Sequence, residues 1–219
     1  MQYMVKVIMF DFDGVIIDSG NDIAYAFQHV LKQFNQPVLT RDEIVSYVGR
    51  GVEYLVRSGF KNCSEEMLKE VLPIYRKQYL DNAVIDTTLY KNVQATLENI
   101  KNHLQDKKIA LVTNKPENLT RKILDILGID KYFDLVVCPE SVKNIKPDPE
   151  GIKKVLQEFN IPARQAIMVG DSDIDIEAGK KAGTYTCGVT YGMGNKQDLI
   201  QASPDFFIND ISDLLKYIK

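Results

Sequence analysis

The chain has 219 residues, of which 45% are hydrophobic and 26% charged, and its formal net charge is −3. This apolar content excludes a disordered chain, and the mild acidity does not suit a general nucleic-acid binder, which needs a basic face. No stretch approaches the roughly 18 uninterrupted apolar residues of a membrane span, and the N-terminus lacks a signal-peptide pattern. Three cysteines without a C-x-x-C pair suggest neither a disulfide framework nor a zinc site. We therefore expect a cytoplasmic protein that binds neither nucleic acid nor membranes.

The first part of the chain predicts one strand followed by a block of helices. The stretch of residues 5–10 is short, mostly apolar and rich in β-branched side chains, which is typical of a strand that is buried on both faces. From about residue 19 to residue 83, apolar side chains recur at helical spacing. Thr40 and Glu43 fit a capping box, whereas Gly49-Arg50-Gly51 interrupts the helical pattern. Pro73 lies inside the last helical stretch, where it should kink or split the helix.

After about residue 85, predicted strands and helices alternate along the chain. The predicted strands are 108–113, 135–138, 166–169, 184–189 and 206–208. The predicted helices are 93–104, 116–127, 149–159, 173–182, 195–202 and 212–218. Such alternation implies a parallel sheet that is covered by helices on both faces. The predicted fold class is therefore α/β, with a parallel-sheet core and a helical insertion after the first strand.

Polar residues stand at the ends of four predicted strands. The four segments are Asp11-Phe12-Asp13-Gly14, Thr113-Asn114-Lys115, Lys146-Pro147-Asp148-Pro149 and Gly170-Asp171-Ser172-Asp173-Ile174-Asp175. Ligands of parallel α/β sheets bind outside the carboxyl ends of the strands. The four segments together therefore predict a functional site at one edge of the sheet.

The acidic members of these segments suit a magnesium site. Asp11, Asp13 and Asp171 supply hard oxygen ligands, and Mg²⁺ prefers a few carboxylates together with waters and substrate phosphate. Repulsion between clustered carboxylates also calls for a cation or for a bound proton. Asp175, four residues after Asp171, is placed to support the site from behind the ligands.

The remaining members suit a phosphoryl group. Thr113 offers a hydroxyl and Lys146 a fixed positive charge. The turn after Asp11 offers main-chain N–H groups, and Gly14 eases its tight geometry. Phosphoryl transfer needs mainly positioning and charge stabilisation, and an aspartate carboxylate is an accepted nucleophile for it.

In order and spacing, the four segments resemble the four motifs of haloacid dehalogenase-superfamily phosphatases, over essentially the whole chain. The helical block resembles the cap that this superfamily inserts between its first and second motifs. The resemblance implies a Rossmann-like catalytic core over residues 1–16 and 85–219, with a helical cap over residues 17–84.

The resemblance also implies a role for each site residue. Asp11 is the nucleophile, and Asp13 protonates the leaving oxygen, activates water and touches Mg²⁺ through its main-chain carbonyl. The transferring phosphoryl group is held by Thr113 and Lys146, with Asn114 and the turn at Gly14 adding main-chain N–H groups. Asp171 ligates Mg²⁺ beside Asp11, supported by Asp175 and by Ser172, which otherwise caps the following helix.

Three features of the sequence bear on the substrate. Asp13 favours phosphate-ester chemistry, because an alkoxide leaving group benefits from a general acid. Members similar to β-phosphoglucomutase carry a histidine where this chain has Ile23. Residues 18–24 and 47–56 resemble phosphoglycolate phosphatases, in which the cap loop helps to choose the substrate. In that loop Arg50 is either a bidentate partner for a substrate carboxylate or a solvated turn residue.

These comparisons predict an Mg²⁺-dependent phosphatase of a small-molecule phosphate ester, with 2-phosphoglycolate as the best single candidate. The alternatives are a phosphosugar mutase and a phosphatase for a sugar phosphate, a nucleotide or pyrophosphate. A receiver-type signalling domain also has an acidic Mg²⁺ site with a Thr and a Lys, but such domains are shorter and lack a cap. A catalytically inactive binding protein is disfavoured because no motif residue is missing. We expect a monomer, the default for a capped enzyme of this size.

Overall fold

A central sheet, a small ribbon and nine α-helices make up the structure, a computed structural model that describes residues 2–218. The strands are β1 (Val7–Phe10), β2 (Ile17–Asp18), β3 (Thr88–Leu89), β4 (Lys108–Val112), β5 (Leu135–Val137), β6 (Ala166–Gly170), β7 (Tyr185–Val189) and β8 (Phe206–Ile208). The helices are α1 (Gly20–Gln33), α2 (Arg41–Val45), α3 (Val52–Gly59), α4 (Glu65–Asp81), α5 (Val93–His103), α6 (Glu117–Ile126), α7 (Glu150–Glu158), α8 (Asp173–Ala182) and α9 (Lys196–Gln201). The terminal positions 1 and 219 of the predicted core lie outside the described residues.

The central sheet has six parallel strands in the order β5-β4-β1-β6-β7-β8. In β1, Ile8 and Phe10 point into one apolar cluster, whereas Val7 and Met9 point into another. Successive side chains of a strand point to opposite faces, so the sheet is covered on both sides. This arrangement explains the uninterrupted apolar run of β1 and confirms the predicted α/β class.

A two-stranded ribbon connects helices α1–α4 to the sheet domain: the chain enters the helical block through β2 and returns through β3. Antiparallel pairing of β2 with β3 places Ile17 opposite Leu89 and Asp18 opposite Thr88. Just beyond the ribbon, the carboxylate of Asp22 in α1 accepts hydrogen bonds from the main-chain N–H groups of residues 85–87 and from the Thr87 hydroxyl, at 2.6–3.2 Å. The start and the end of the helical block are therefore tied together.

Apolar side chains around α1 hold the helical block together, and they belong to the same buried cluster as one face of the sheet. The Phe27 ring of α1 packs edge-on against Phe60 and Tyr75, with ring centroids 5.8 and 5.5 Å apart. Gly59 lies against the same ring, and a Cβ there would come within 2.3 Å of it. Burial of an aromatic side chain of this kind contributes roughly 1.5–3 kcal/mol. The block thus stands on close packing around α1.

Pro73 does not split the helix that contains it, which corrects one reading of the sequence. Helix α4 runs without interruption from Glu65 to Asp81. Proline removes the hydrogen bond to the carbonyl four residues earlier, which belongs to Lys69. Both Pro73 and Lys69 are exposed, so water can satisfy that carbonyl. The predicted capping box of Thr40 and Glu43 is confirmed at the start of α2.

The end of the chain differs from the predicted α-helix over 212–218. It forms a 3₁₀ helix over Ile211–Lys216, capped by the Asp210 carboxylate, which accepts from the N–H of Ser212. Ile211 and Leu214 of this turn are fully buried in the core. Its six residues make it long for a 3₁₀ helix, since such runs seldom exceed about 3–4 residues, and the two buried side chains hold it against the core. Across residues 2–218, no helix is both long and apolar enough to cross a lipid bilayer.

Candidate active site

The predicted polar strand ends meet at one edge of the central sheet. Asp11 follows β1, Thr113 follows β4 and Asp171 follows β6, and these three strands are neighbours. The side chains are 4–5% exposed, and Asp11 and Thr113 open into a cavity of about 60 Å³. The opposite wall of the cavity comes from the helical block, through Ile23, Val48, Gly49, Gly51, Val52, Leu55, Tyr75 and Tyr79.

Lys146 lies between two carboxylates beneath this cavity. Its Nζ is 2.8 Å from Asp11 Oδ1 and 2.7 Å from Asp175 Oδ1, and all three residues are buried. Burial disfavours the charged ammonium, but the charges of Asp11 and Asp175 outweigh it and raise the pKa of Lys146. A charged ammonium therefore lies beside the predicted nucleophile.

The carboxyl groups of Asp11, Asp171 and Asp175 form a compact acidic cluster. One oxygen from each lies within 4.8 Å of the other two. Burial raises the pKa of Asp11 to about 7, against the opposing charge of Lys146. Burial and the charges of Asp175 and Asp11 raise the pKa of Asp171 to about 8. Buried carboxylates that repel each other in this way are a donor set that fits a hard cation such as Mg²⁺.

Hydrogen bonds distinguish the members of this cluster. Both oxygens of Asp175 are engaged, Oδ1 by Lys146 and Oδ2 by the N–H and hydroxyl of Ser172, the latter at 2.6 Å. Within residues 2–218, Asp171 receives such bonds at Oδ2 alone, from the N–H groups of Met193 and Gly194 at 2.7 and 2.8 Å. This pattern suits Asp171 as a ligand and Asp175 with Ser172 as its support. Those assignments stay predictions.

Asp13 lies outside the cluster and makes a different set of contacts. Its carboxylate is 2.9 Å from Lys115 Nζ and accepts from the Ser19 hydroxyl. Lys115 Nζ in turn lies 2.7 Å from the Tyr79 hydroxyl and 4.4 Å from the centre of that ring. The sequence places Lys115 in the strand-end segment with Thr113 and Asn114, but it predicts no role for this residue.

Thr113 and Asn114 have distinct bonding patterns. The Thr113 hydroxyl accepts from the N–H of Lys115 at 3.1 Å, which leaves its own proton for another acceptor. The Asn114 amide bonds to the main chain of Lys146 in both directions and donates to the Gly49 carbonyl at 2.8 Å. Asn114 thus joins the loop that carries Lys146 to the helical block. Its predicted main-chain contact with substrate stays a prediction.

Gly14 allows the tight turn after Asp11, and its predicted place in the substrate site stays a prediction. Its N–H donates to the Ile17 carbonyl at 2.9 Å and is therefore engaged within the loop. Its φ is +86°, and a Cβ there would lie 1.9 Å from Asp171 Oδ2. Glycine is needed because the loop bends in a left-handed conformation directly against a cluster carboxylate.

Arg50 does not line the small cavity. It pairs with Asp173 at the start of α8, and both residues line a separate groove of about 510 Å³ between the helical block and the sheet domain. This pair connects the loop after α2 to the sheet domain. The two predicted roles of Arg50, a partner for a substrate carboxylate and a solvated turn residue, both stay predictions.

Known proteins resemble this chain over nearly its full length. The family model for haloacid dehalogenase-like hydrolases matches residues 8–189. A phosphoglycolate phosphatase from Aquifex aeolicus is 39% identical over 212 residues, which cover 97% of this chain and 96% of the relative. A pyrophosphatase PpaX from Listeria innocua is 32% identical over 220 residues, 98% and 97% of the two chains. The crystal structure of a predicted phosphoglycolate phosphatase from Haemophilus somnus superposes with a TM-score of 0.92, at 31% identity, and 99% of each chain is covered.

Proposed function

Since the chain belongs to the haloacid dehalogenase-like hydrolases and is a phosphatase, we propose that it hydrolyses a small phosphomonoester, with 2-phosphoglycolate as the best candidate, through a phosphorylated Asp11. The observation that carries this proposal is the meeting of a buried carboxylate, a buried ammonium and a second carboxylate beside one cavity: Asp11, Lys146 and Asp171. Phosphoryl transfer needs mainly positioned charges of this kind.

The proposed reaction has two steps. An oxygen of Asp11 first attacks phosphorus, and the bond from phosphorus to the ester oxygen breaks with its electron pair on the leaving oxygen. Asp13, which lines the same cavity, gives a proton to that oxygen. A water molecule then attacks phosphorus while Asp13 takes its proton, and the bond from phosphorus to Asp11 breaks. This second step releases phosphate and restores Asp11.

Positive charge and hydrogen bonds hold the phosphoryl group during both steps. Lys146 and the free proton of Thr113 are the proposed donors to its oxygens. Mg²⁺, when bound by Asp11, Asp171 and the main-chain carbonyl of Asp13, supplies charge that keeps Asp11 ionised and offsets the charge of the phosphoryl oxygens. Asp175 holds Lys146 in place from below.

We assign residues 17–84 as a cap that closes over the core, residues 1–16 and 85–219. Contacts that hold the two parts together in the structure include those of Asn114 with Gly49, of Lys115 with Tyr79, and of Lys122 with the Leu80 carbonyl at 2.6 Å. The pair of Arg50 with Asp173 and the bonds of Asp22 to residues 85–87 add to them. A closed cap limits the water that reaches a phosphorylated carboxylate while leaving room for one positioned molecule.

Cavity size supports a small substrate. A cavity of about 60 Å³ has room for roughly four to six water molecules, which suits 2-phosphoglycolate better than a nucleotide or a sugar phosphate. Pyrophosphate is the second candidate, because it is equally small and a similar protein is named a pyrophosphatase. A mutase is disfavoured by Ile23, an apolar side chain in the cavity wall.

Phosphate release from a substrate panel tests the proposed function. The panel contains 2-phosphoglycolate, pyrophosphate, a sugar phosphate and a nucleotide, each with Mg²⁺ and with EDTA. We expect release that needs Mg²⁺, is strongest on 2-phosphoglycolate and is abolished by Asp11→Asn. Asp42→Asn, at a carboxylate that is 91% exposed, is the matched control. Strongest release from pyrophosphate would transfer the proposal to that substrate, and release that persists in Asp11→Asn would contradict the mechanism.

A further inference from the structure

One positively charged side chain that lines the small cavity has no role in the reaction steps above. Among the described residues that line it, Lys115 is the single basic side chain. Resting on the proposed function, we propose that Lys115 binds a second anionic group of the substrate: the carboxylate of 2-phosphoglycolate or the distal phosphate of pyrophosphate. Lys115 would thereby select doubly anionic substrates over esters with a neutral end.

Lys115 is held in place before a substrate arrives. Its side chain is 3% exposed, with Nζ fixed by Asp13 at 2.9 Å and by the Tyr79 hydroxyl at 2.7 Å. An ammonium has three N–H donors, so two protein partners leave one donor for a ligand. A buried, oriented ammonium loses little side-chain entropy when it binds an anion.

Apolar surroundings strengthen the interaction between the Lys115 ammonium and a bound anion. Apolar side chains form much of the cavity wall beside it, including Val52, Leu55 and Leu119. A carboxylate placed against such a wall without a cation is strongly disfavoured, because nothing replaces its hydration. Interactions between charges are also stronger in a dry cavity than in water. The neutral end of an ester has no comparable need for Lys115.

The position of Lys115 also fits a substrate with two ends. The cavity is lined by Asp11 and Thr113, the proposed phosphoryl end, and by Lys115, two residues further along the same strand end. Arg50, the other basic candidate, lines a different groove and pairs with Asp173. Substitution of Lys115 should therefore change the substrate preference, whereas substitution of Arg50 should not.

The test compares 2-phosphoglycolate with 2-hydroxyethyl phosphate, in which an alcohol replaces the carboxylate. We expect Lys115→Met to lower the preference for 2-phosphoglycolate, taken as the ratio of the two kcat/KM values, roughly 10- to 100-fold, mostly through KM. Effects that act through Asp13 reduce both substrates alike and cancel in this ratio. Lys115→Arg should restore part of the preference, because it keeps the charge.

Two further variants keep the test independent of folding. Tyr79→Phe removes one support of the ammonium and should lower the preference by a smaller factor. Lys77→Met, at a side chain on the same helix that is 76% exposed, should leave the preference unchanged. A preference that survives Lys115→Met, or that falls in Arg50→Gln instead, would overturn the assignment of Lys115.

Pyrophosphate as a third substrate separates the two anionic groups. A loss in Lys115→Met on 2-phosphoglycolate identifies a carboxylate as the partner, and a loss on pyrophosphate identifies a phosphate. Equal losses on all three substrates contradict the proposal. Wild-type protein that hydrolyses none of them contradicts the proposed function itself, whereas an active wild type with an unchanged preference in the variant contradicts only the role of Lys115.

Discussion

The ammonium of Lys146 is 2.7 Å from Asp175, a carboxylate that is fully buried. Lys146 is therefore a structural as well as a chemical element of the site. We predict that Lys146→Met lowers the free energy of unfolding by about 3–5 kcal/mol, because it leaves buried negative charges without a partner. Urea unfolding measures this. Lys154→Met, at an exposed lysine that donates to the Ser141 carbonyl, is the control. A decrease in the free energy of unfolding no larger than that of the control would contradict this structural role of Lys146.

The raised pKa values of the acidic cluster predict a pH dependence of stability. Burial raises the pKa values of the Asp11 and Asp171 carboxyl groups from the ordinary 3.8 to about 7 and about 8 in the folded protein. Between pH 4 and pH 8 the folded protein therefore binds more protons than the unfolded chain. Its stability in EDTA should fall as the pH rises through this window, by up to about 1.4 kcal/mol per pH unit for each extra proton.

Asp171→Asn isolates that contribution. An amide oxygen can still accept from the N–H groups of Met193 and Gly194, but it carries no titrating proton. We expect the variant to show a shallower fall of stability with pH in EDTA than the wild type. Saturating Mg²⁺ should flatten the wild-type curve too, because it stabilises the ionised carboxylates. Equal slopes for the wild type and the variant in EDTA would show that Asp171 is ionised throughout.

Two glycines with left-handed backbones should respond very differently to alanine. Gly14 and Gly128 have φ values of +86° and +67°. A Cβ on Gly14 would collide with Asp171, whereas one on Gly128 meets nothing within 4 Å. Gly128→Ala should cost about 1–2 kcal/mol of stability and keep activity. Gly14→Ala should also lose phosphate release and weaken Mg²⁺ binding, measured by calorimetry. Normal Mg²⁺ affinity in Gly14→Ala would contradict the steric reading.

Asp22 should be essential for the junction between the helical block and the sheet domain. Asp22→Ala leaves the N–H groups of residues 85–87 without their acceptor, and a buried unpaired donor costs about 1–3 kcal/mol. We predict a loss of at least about 3 kcal/mol and faster amide hydrogen exchange at those three residues. Asp42→Ala, at an exposed carboxylate, provides the comparison. Unchanged exchange in Asp22→Ala would show that the ribbon alone fixes the junction.

Local signals in the sequence predicted much of the fold. Helix α8 begins and ends where expected, because Ser172 caps its start and Gly183 adopts the left-handed conformation at its end. The apolar run before Asp11 predicts a buried strand, and the structure has β1 there with both of its faces covered. Such signals depend only on neighbours along the chain. The rule that carboxyl ends of parallel strands share one edge also predicts that the polar strand ends meet there, as they do in the structure.

Contacts between distant parts of the chain could not be predicted in this way. The partner of Arg50 is Asp173, 123 residues later, and that of Lys115 is Tyr79 in a helix of the block. Neither pairing leaves a mark in local composition or spacing. Pro73 is a different case. Its loss of one helical hydrogen bond is predictable from the sequence, but the exposure of this helix face, which lets the helix continue, is not.

The pairing of Ile17 with Leu89 places the two ends of the helical block side by side. A segment whose ends meet at one point can be exchanged between relatives as a unit, provided that the register of these two short strands is kept. Transplanting residues 19–87 should therefore transfer the shape of the cavity roof without disturbing Asp11, Thr113, Lys146 or Asp171. In such a chimera, the recipient would keep its chemistry and its own Lys115, and it would acquire only the part of substrate selection that the cavity roof supplies. This makes the ribbon a suitable boundary for recombination.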